Sequence, residues 1–202
     1  MLRSVALFDF DNTLANGDTI HRLLIYYLKR HPLHVFYFLK TAVTFIGYKL
    51  KMKTYENLKE TILFPLKHMS EDELKAFYKQ QVTPYYYKNV VEMLNKHKED
   101  GCIVIICTAS SESYMKYYDL NADTLIGTRV ENGKIIGKNC RKQEKIPRIL
   151  EYLKSIDVEI DYENSYGYSD SNDDIPMLSL VKHKNRVLLK TGEIVKFEES
   201  VK

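Results

Sequence analysis

Asp9 and Asp11 have the strongest chemical signature in this sequence. They directly follow the apolar run 4–8, which is typical of a strand buried on both faces of a parallel sheet. In extended backbone, the i, i+2 spacing points both carboxylates the same way at the C-terminal end of the strand, where open α/β sheets bind ligands. Two acids held this close repel each other unless a cation lies between them or one keeps its proton. The pair therefore predicts a divalent cation site. Mg²⁺ suits it, because this ion takes carboxylate and carbonyl oxygens.

An Asp-rich turn after a strand is also ordinary loop chemistry, so the acid pair alone does not decide the matter. A second apolar run, 102–107, ends in Thr108-Ala109-Ser110-Ser111. It places hydroxyls at the end of another predicted strand and before a predicted helix, whose N-terminal N–H groups can hold an anion. The alternative is that Ser110 or Ser111 only caps that helix.

A lysine and a second group of acids complete the set. Lys145 opens an amphipathic segment, although the chain is rich in lysine and a surface position is the simple alternative. Asp170, Asp173 and Asp174 follow a predicted short strand, with the alternative that they only cap the helix beginning near Pro176. Along the chain, these stretches give an acid pair, a hydroxyl, a lysine and further acids, each where a predicted strand ends or a predicted helix begins.

This order of motifs resembles that of the haloacid dehalogenase superfamily, and within it the phosphoserine-phosphatase-like branch (subfamily IB). Residues 9–14 (DFDNTL) resemble the first motif of the family and 108–110 (TAS) the second; Lys145 matches the third motif and 169–174 (SDSNDD) the fourth. The resemblance spans Val5 to about Val187. It implies a phosphatase, because phosphatases of the family keep the second acid of the first motif, whereas dehalogenases lack it and ion-pumping ATPases replace it.

The resemblance also implies a role for each motif residue. Asp9 is expected to be the nucleophile and Asp11 the general acid and base. Mg²⁺ would be held by Asp9, by the backbone carbonyl of Asp11 and by Asp170. Thr108 and Lys145 would donate hydrogen bonds to the phosphoryl oxygens, whose charge must be stabilised in the transition state. These expectations describe phosphoester hydrolysis through an aspartyl-phosphate.

Four other residues are expected to support or border that set. Asp174 should hold a metal-bound water or the motif lysine, and Asp173 stands where relatives often have Asn, so its expected role is weaker. Asp18 stands where phosphoserine phosphatases carry a Glu that meets the amino group of the substrate. Asp18 and Ser110 are therefore the candidate substrate-binding residues, with the alternative that Asp18 only N-caps the following helix. The expected substrate is a phosphomonoester smaller than a nucleotide, with phosphoserine as one candidate.

Two segments depart from the family pattern. Relatives usually have Gly a few residues before the lysine of the third motif, where this chain has Lys142. Residues 190–192 (KTG) lack the Asn-Pro-Asp pattern that is common in close relatives. Neither departure touches the expected catalytic residues, but both border the expected pocket.

Composition sets wider bounds on the protein. A chain of 202 residues with 45% hydrophobic and 28% charged residues is long enough for one good core, with or without a small accessory module. The net charge of +3 is too small to predict nucleic-acid binding. Three cysteines, two of them in a predicted strand, favour buried thiols in a reducing compartment over disulfides. The first strand begins almost at the N-terminus, which leaves no room for a cleavable signal peptide and predicts a cytoplasmic protein.

The predicted fold class is α/β. Strands alternate with helices and predict a parallel sheet; the family resemblance implies a Rossmann-like core with a small inserted helical cap (C1-type, a four-helix bundle). We expect the core at residues 1–15 and 86–202 and the cap at 16–85. The cap helices are expected to follow Asp18-Thr19, then to span 33–50, 55–64 and 70–81. The apolar segment 33–50 is expected to pack between its neighbours, although an interfacial amphipathic helix is the open alternative, and no stable membrane insertion is expected.

The remaining core elements follow local signals. Helices are expected at 87–100, 114–119 and 143–155, a hairpin around Asn132-Gly133, and a last strand at 186–189, with a frayed charged tail after Glu193.

Two other functions stay open. One is a phosphoacceptor signalling domain, which carries its phosphorylated Asp on a middle strand and lacks a helical insert. The other is a membrane-surface binding protein with a vestigial site. The oligomeric state and the physiological substrate are not specified by the sequence.

Overall fold

A six-stranded sheet forms the centre of the computed structural model, which describes residues 1–198. The strands of the described chain are β1 (Leu2–Arg3), β2 (Val5–Phe8), β3 (Ile103–Ser111), β4 (Thr124–Thr128), β5 (Val130–Glu131), β6 (Lys134–Ile135), β7 (Glu159–Ile160), β8 (Tyr166–Ser169), β9 (His183–Val187) and β10 (Ile194–Lys196). The strand order of the central sheet is β10-β9-β8-β2-β3-β4, and all neighbours are parallel except β10, which runs antiparallel to β9. The predicted α/β fold with a mainly parallel sheet is thus confirmed.

Helices cover both faces of this sheet. The α-helices are α1 (Thr19–Arg30), α2 (Tyr37–Lys49), α3 (Tyr55–Ile62), α4 (Glu71–Gln81), α5 (Lys88–Glu99), α6 (Glu112–Met115), α7 (Lys145–Ser155) and α8 (Ile175–Leu178). All four residues of β2 are buried, and their side chains alternate between two hydrophobic clusters. Phe8 joins the cluster that contains Leu94 of α5, and Leu7 joins the one that contains Leu153 of α7. The central position of β2 therefore brings the acids that follow it to the middle of the sheet edge.

Several predicted core elements are confirmed, and two are wrong. The hairpin at Asn132-Gly133 joins β5 and β6, and both turn residues have positive φ. The helix expected at 114–119 is instead the short α6, because β3 continues to Ser111 and the helix ends at Met115. The tail expected to fray after Glu193 contains β10, which pairs with β9. Residues 199–202 lie outside the described part of the chain.

The four predicted helices of the inserted segment are present as α1 to α4, between β2 and α5. Asp18 N-caps α1, and α4 begins with a capping box, in which Ser70 and Glu73 satisfy each other's backbone N–H groups. Leu23 of α1 and Phe77 of α4 are fully buried in the cluster that also contains Phe8 and Phe10, so this segment is continuous with the core of the sheet.

The expectation that 33–50 packs between neighbours is wrong. A 3₁₀ turn covers Pro32–Phe36 before α2, and neither element contains a buried residue. Helix α2 contacts α3 on one side and presents large apolar side chains to solvent on the other. The run 33–50 is apolar on every side of a helix, so its sequence could not show that only one side packs against the rest of the protein. Within residues 1–198, no helix combines the length and hydropathy that a membrane span requires.

Candidate active site

The loop after β2 is held in a single conformation by backbone hydrogen bonds. The carbonyl of Phe10 accepts from the N–H groups of Thr13, Leu14 and Ala15, and Asp9 N–H donates to the carbonyl of Tyr168 at 3.0 Å. Asn12 has φ 61°, the left-handed conformation that Asn tolerates better than most residues. The chain therefore turns sharply after Asp11 and leaves both acids at the C-terminal edge of the sheet.

Asp9 is paired with Lys145 in a buried ion cluster. Lys145 Nζ lies 2.7 Å from Asp9 Oδ1 and 2.6 Å from Asp174 Oδ1, and only 2% of the Lys145 side chain is exposed. Burial alone would lower the pKa of Lys145, but the two carboxylates outweigh it and raise that pKa above its usual value. Ser169 Oγ donates to the other oxygen of Asp174 at 2.7 Å. Residues of the first, third and fourth motifs thus meet at the ammonium group of Lys145.

Asp9 and Asp170 approach the same hydroxyl. Thr13 Oγ1 accepts from Asp170 N–H at 3.1 Å and lies 3.3 Å from Asp170 Oδ1 and 3.5 Å from Asp9 Oδ2. The two carboxylates and the Thr13 hydroxyl offer oxygen atoms, the ligand type that Mg²⁺ prefers. Among residues 1–198, no group of three or more His, Cys, Asp or Glu side chains has an arrangement that could hold a metal ion. A metal at this site would therefore need ligands other than side chains, and the backbone carbonyl of Asp11 is the expected one.

Asp11 has an environment different from that of Asp9. Ser110 Oγ donates to Asp11 Oδ2 at 2.5 Å and the Thr19 N–H donates to Asp11 Oδ1 at 2.8 Å. Thr19 Oγ1 in turn lies 2.8 Å from Ser110 Oγ. Burial, with a further contribution from the charge of Asp18, raises the pKa of Asp11 to about 6. Asp11 therefore faces hydroxyls and a cavity, whereas Asp9 faces a lysine.

The hydroxyls at the C-terminal end of β3 have different roles. Thr108 is buried, and its Oγ1 accepts from Ser110 N–H at 3.0 Å, which leaves the Thr108 hydroxyl proton free to be donated. It lies two residues beyond Ile106, the partner of Phe8 in the sheet, and so reaches the level of the acid loop. Ser111 caps α6, as the alternative for this stretch allowed, but Ser110 does not. Helix α6 has four residues and is too short to provide the anion site expected at a helix start.

Asp173 does not join the acid cluster. It pairs with Arg141 and lies 3.4 Å from Lys142 Nζ, both in the loop before α7. Asp173 thus ties the loop of the fourth motif to that of the third. Lys142 has φ 54°, so this chain keeps the left-handed conformation at a position where relatives usually have Gly.

A cavity of about 250 Å³ opens beside Asp11. Asp18 lines it and also N-caps α1, because Asp18 Oδ1 accepts from the N–H groups of Ile20 (2.9 Å) and His21 (3.4 Å). Asp18 Oδ2 lies 3.9 Å from His21 Nδ1, beyond hydrogen-bond distance. The predicted capping role of Asp18 is therefore observed, and it uses only one of the two carboxylate oxygens. The cavity lining is Asp11, Asp18, Ile20, His21, Tyr55, Leu58, Lys59, Ile62, Ala109, Ser110 and Tyr114.

Lys59 is a site residue that sequence reasoning missed. It lies in α3, lines the cavity and is 8% exposed, and its Nζ donates to Ala109 O at 2.6 Å and Asn139 Oδ1 at 2.7 Å. Burial lowers the pKa of Lys59 to about 8. The bond to Ala109 joins the inserted helices to the end of β3, which carries Thr108 and Ser110. Nothing in its local sequence distinguishes Lys59 from the other lysines.

Thr13, Thr19 and Ser169 were also missed as site residues, although each lies inside or near a recognised motif. Thr13 contacts Asp9 and Asp170, and Thr19 contacts Asp11. Ser169 holds Asp174. Their closeness to the acids in sequence was the available signal, because short hydroxyl side chains beside a carboxylate commonly orient it.

Comparisons with known proteins agree with this arrangement. The family model of haloacid dehalogenase-like hydrolases matches residues 6–179. A histidinol-phosphatase of Neisseria meningitidis is 25% identical over 201 residues, covering 89% of this chain and 88% of its own. A protein of unknown function from Bordetella pertussis has a similar structure, with a TM-score of 0.75, 23% identity and coverage of 91% of this chain and 89% of its own. The structure of a phospho-aspartyl intermediate analogue of phosphoserine phosphatase has a TM-score of 0.62 and 17% identity, and covers 91% of this chain and 86% of its own.

Proposed function

The chain belongs to the haloacid dehalogenase-like hydrolase family and is an enzyme of the phosphatase type, and from this premise we propose that it hydrolyses a small phosphomonoester through an aspartyl-phosphate, with Mg²⁺. One observation supports this proposal above the others. The two acids of the first motif have different partners: Asp9 is paired with Lys145, whereas Asp11 contacts Ser110 and Thr19. Burial raises the pKa of both carboxyls, that of Asp11 to about 6. The partners therefore divide the roles: the Lys145 ammonium favours the ionised form of Asp9 that a nucleophile needs, whereas Asp11, whose hydrogen-bond partners are uncharged, can carry the proton that an acid must give.

The reaction has two displacements at phosphorus. Asp9 attacks the phosphoryl group, a bond forms between its carboxylate oxygen and phosphorus, and the bond from phosphorus to the substrate oxygen breaks. Asp11 gives its proton to the leaving alkoxide. Asp11 then takes a proton from water, which attacks the aspartyl-phosphate, releases phosphate and regenerates Asp9. Asp11 thus serves as acid in the first displacement and base in the second.

Other residues stabilise charge and hold the nucleophile. The Thr108 hydroxyl and Lys145 donate to the phosphoryl oxygens as charge develops on them. Asp174, fixed by Ser169, holds Lys145 in place through a second ion pair. Mg²⁺ bound by Asp9, the Asp11 backbone carbonyl and Asp170 would neutralise charge on the attacking carboxylate and on the phosphoryl group.

We assign residues 16–85 to a cap over a core formed by 1–15 and 86–202. In this assignment the cavity beside Asp11 is the substrate site, since α1 and α3 line one side of it and the end of β3 with α6 lines the other. Asp18 contributes a negative charge and Lys59 a positive one. A substrate with an amino group near its phosphate fits the Asp18 side. Phosphoserine and histidinol phosphate are both compounds of this kind, and the relatives described above include enzymes named for each.

The test is a screen for phosphate release with Mg²⁺ across small phosphomonoesters, including phosphoserine, histidinol phosphate, phosphocholine, phosphoethanolamine and sugar phosphates. We expect the wild-type protein to release phosphate and Asp9→Asn to release none, because an amide cannot attack phosphorus. Asp173→Asn is the matched control, since it removes an acid that points away from the cluster and should keep most of the activity. Multiple turnover by purified Asp9→Asn, free of contaminating phosphatase, would remove Asp9 from the nucleophile role.

A further inference from the structure

An apolar stripe runs along the outer side of α2 and its flanks, and we call it the α2 face: Phe36, Leu39, Val43, Ile46 and Leu50. Each of these side chains is more than half exposed. At 3.6 residues per turn, Leu39, Val43, Ile46 and Leu50 fall within an arc of about 60°. More than half of the exposed large apolar side chains in the described part of the protein lie within residues 33–52. A contiguous patch of this kind marks an interaction surface.

The opposite side of α2 is anchored to the protein, which fixes the direction of the α2 face. Thr41 Oγ1 lies 3.3 Å from the carbonyl oxygen of Thr61, and the ring of Tyr37 stacks on Phe64 with centroids 4.7 Å apart. Tyr48 packs edge-on against Tyr55. Helix α2 therefore cannot turn its apolar stripe inward without giving up these contacts. The stripe needs an apolar partner outside the chain.

The charge around the α2 face indicates what that partner is. Residues 19–55 contain seven Lys or Arg and no Asp or Glu, although the whole chain has a net charge of only +3, so the rest of the chain is net negative. Lys40 and Lys49 lie on the two sides of the stripe, about 100° and about 80° from Leu39 around the helix. A cavity of about 190 Å³ next to α2 is lined by four lysines, Lys40, Lys53, Lys67 and Lys134, and by one acid, Glu60, with the other lining residues uncharged.

We propose that the α2 face docks on a bilayer surface that contains anionic lipids. An exposed apolar stripe with basic residues on both sides is the pattern of a helix that lies in the plane of a membrane interface. The apolar side chains would enter the boundary between headgroups and acyl chains, and the lysines would meet lipid phosphates. Docking of a second copy through the same face is disfavoured, because it would bring two basic segments together. This surface is separate from the catalytic acids, so the proposal does not depend on the proposed function.

Flotation with lipid vesicles tests this docking. We expect the full chain to float with vesicles made of equal parts phosphatidylcholine and phosphatidylserine, and to bind vesicles of phosphatidylcholine alone roughly tenfold less. Added salt should weaken the binding to the anionic vesicles, because it screens the lysine charges. A wild-type chain that stays at the bottom of the gradient with both kinds of vesicle would overturn the proposal.

Matched variants locate the docking surface. The double variant Leu39→Glu/Val43→Glu should lose at least about tenfold in vesicle binding, since two charges would have to enter the apolar boundary. Leu189→Glu removes a similarly exposed leucine from the loop after β9 and should bind as the wild type does. Lys40→Gln/Lys49→Gln keeps the apolar stripe and should lose selectivity for anionic vesicles. Circular dichroism and urea midpoints would verify that each variant is folded.

Two results would contradict the assignment of this surface. One is vesicle binding by Leu39→Glu/Val43→Glu that equals the wild type. The other is a wild-type dimer by light scattering that becomes a monomer in the same variant while neither protein binds vesicles. The second result would assign the α2 face to a copy of this chain instead of a membrane.

Discussion

Lys145 Nζ lies 2.7 Å from Asp9 Oδ1, and both side chains are largely withdrawn from solvent. Asp174 contacts the same Nζ from another side at 2.6 Å. A single buried cation therefore holds two carboxylates that would otherwise repel each other. Both the geometry of the nucleophile and the stability of this part of the fold depend on that lysine.

Replacement of Lys145 should destabilise the fold by an amount that depends on pH. Lys145→Met leaves the buried Asp9 and Asp174 without the positive charge that compensates them, which should lower the free energy of unfolding by about 3–5 kcal/mol near neutral pH. Burial already raises the pKa of Asp9, and loss of the lysine should raise it further. A carboxyl whose folded-state pKa is raised stabilises the folded state less as the pH rises. The loss of unfolding free energy in Lys145→Met should therefore be smaller at about pH 5 than at about pH 7.

Urea unfolding at the two pH values measures this effect. Lys182→Met is the matched control, because Lys182 pairs with Glu163 in an exposed position and such pairs contribute about 0–1 kcal/mol. A Lys145→Met deficit equal to that of Lys182→Met would show that the buried cluster is not a stabilising unit.

Replacement of Asp11 should separate the two displacements. Asp11→Asn cannot protonate an alkoxide, so it should slow the hydrolysis of an alkyl phosphate by about 10²–10⁴-fold. The leaving group of p-nitrophenyl phosphate needs no proton, so the first displacement should be largely preserved while release of the aspartyl-phosphate is slow. Rapid-mixing measurements with this substrate should show a burst of p-nitrophenol, about one per enzyme, followed by slow turnover. Equal losses on both substrates with no burst would contradict the two roles of Asp11.

Removal of the metal should abolish the activity of the enzyme. EDTA should abolish phosphate release, Mg²⁺ should restore it, and Ca²⁺ should inhibit, because its larger and looser coordination misplaces the nucleophile. Mg²⁺ should also raise the melting temperature of the wild type by binding the folded state, and should do so much less for Asp170→Asn. Asp173→Asn is the control and should respond to Mg²⁺ as the wild type does. Full activity in EDTA would reject the mechanism.

The sheet and the acids at its edge were predictable because each depends on local sequence. The run 5–8 is apolar at every position, as a strand buried on both faces requires, and the acids follow it directly. Asn12, inside the first motif, adopts a positive φ, a conformation that Asn tolerates better than most residues. Motif order then linked Lys145 and Asp174 to the same edge, and the structure brings both to Asp9.

Features that depend on tertiary contacts were not predictable. Lys59 is one lysine of many, and its role comes from Ala109 and Asn139, which are 50 and 80 residues away. The strand β10 has only three residues and forms because β9 offers it an edge. The outward direction of the α2 face depends on which side α3 occupies, and periodicity within the run 33–50 carries no such information.

The burial of Lys59 should make its contribution to stability depend on pH. Its folded-state pKa is lowered to about 8 from an ordinary value of 10.5, so the buried charge is a cost at and below about pH 7. As pH rises above about 8, the folded state releases this proton before the unfolded state does, and the cost is relieved. The free energy of unfolding of the wild type, relative to Lys59→Met, should therefore rise by about 2 kcal/mol between about pH 7 and about pH 9.5.

Urea unfolding of both proteins across this range measures the difference. Lys75→Met, in which an exposed lysine of α4 is removed, controls for the loss of a charge. A difference between the wild type and Lys59→Met that stays constant with pH would mean that Lys59 keeps its proton throughout and that burial does not govern it.

Asp18 combines a capping role with a place in the cavity wall, and a pair of substitutions can separate the two. Asn caps a helix about as well as Asp does, so Asp18→Asn should change the free energy of unfolding by less than about 0.5 kcal/mol, whereas Asp18→Ala should cost about 1 kcal/mol. Only the charge is lost in Asp18→Asn. If Asp18 Oδ2 meets an amino group, KM for an aminated phosphomonoester should rise roughly tenfold, about 1.4 kcal/mol of binding. KM for p-nitrophenyl phosphate, which has no amine, should stay within about twofold of the wild type. Equal changes in KM for both substrates would show that Asp18 serves as a helix cap alone and that the cavity does not select for a positive charge through it.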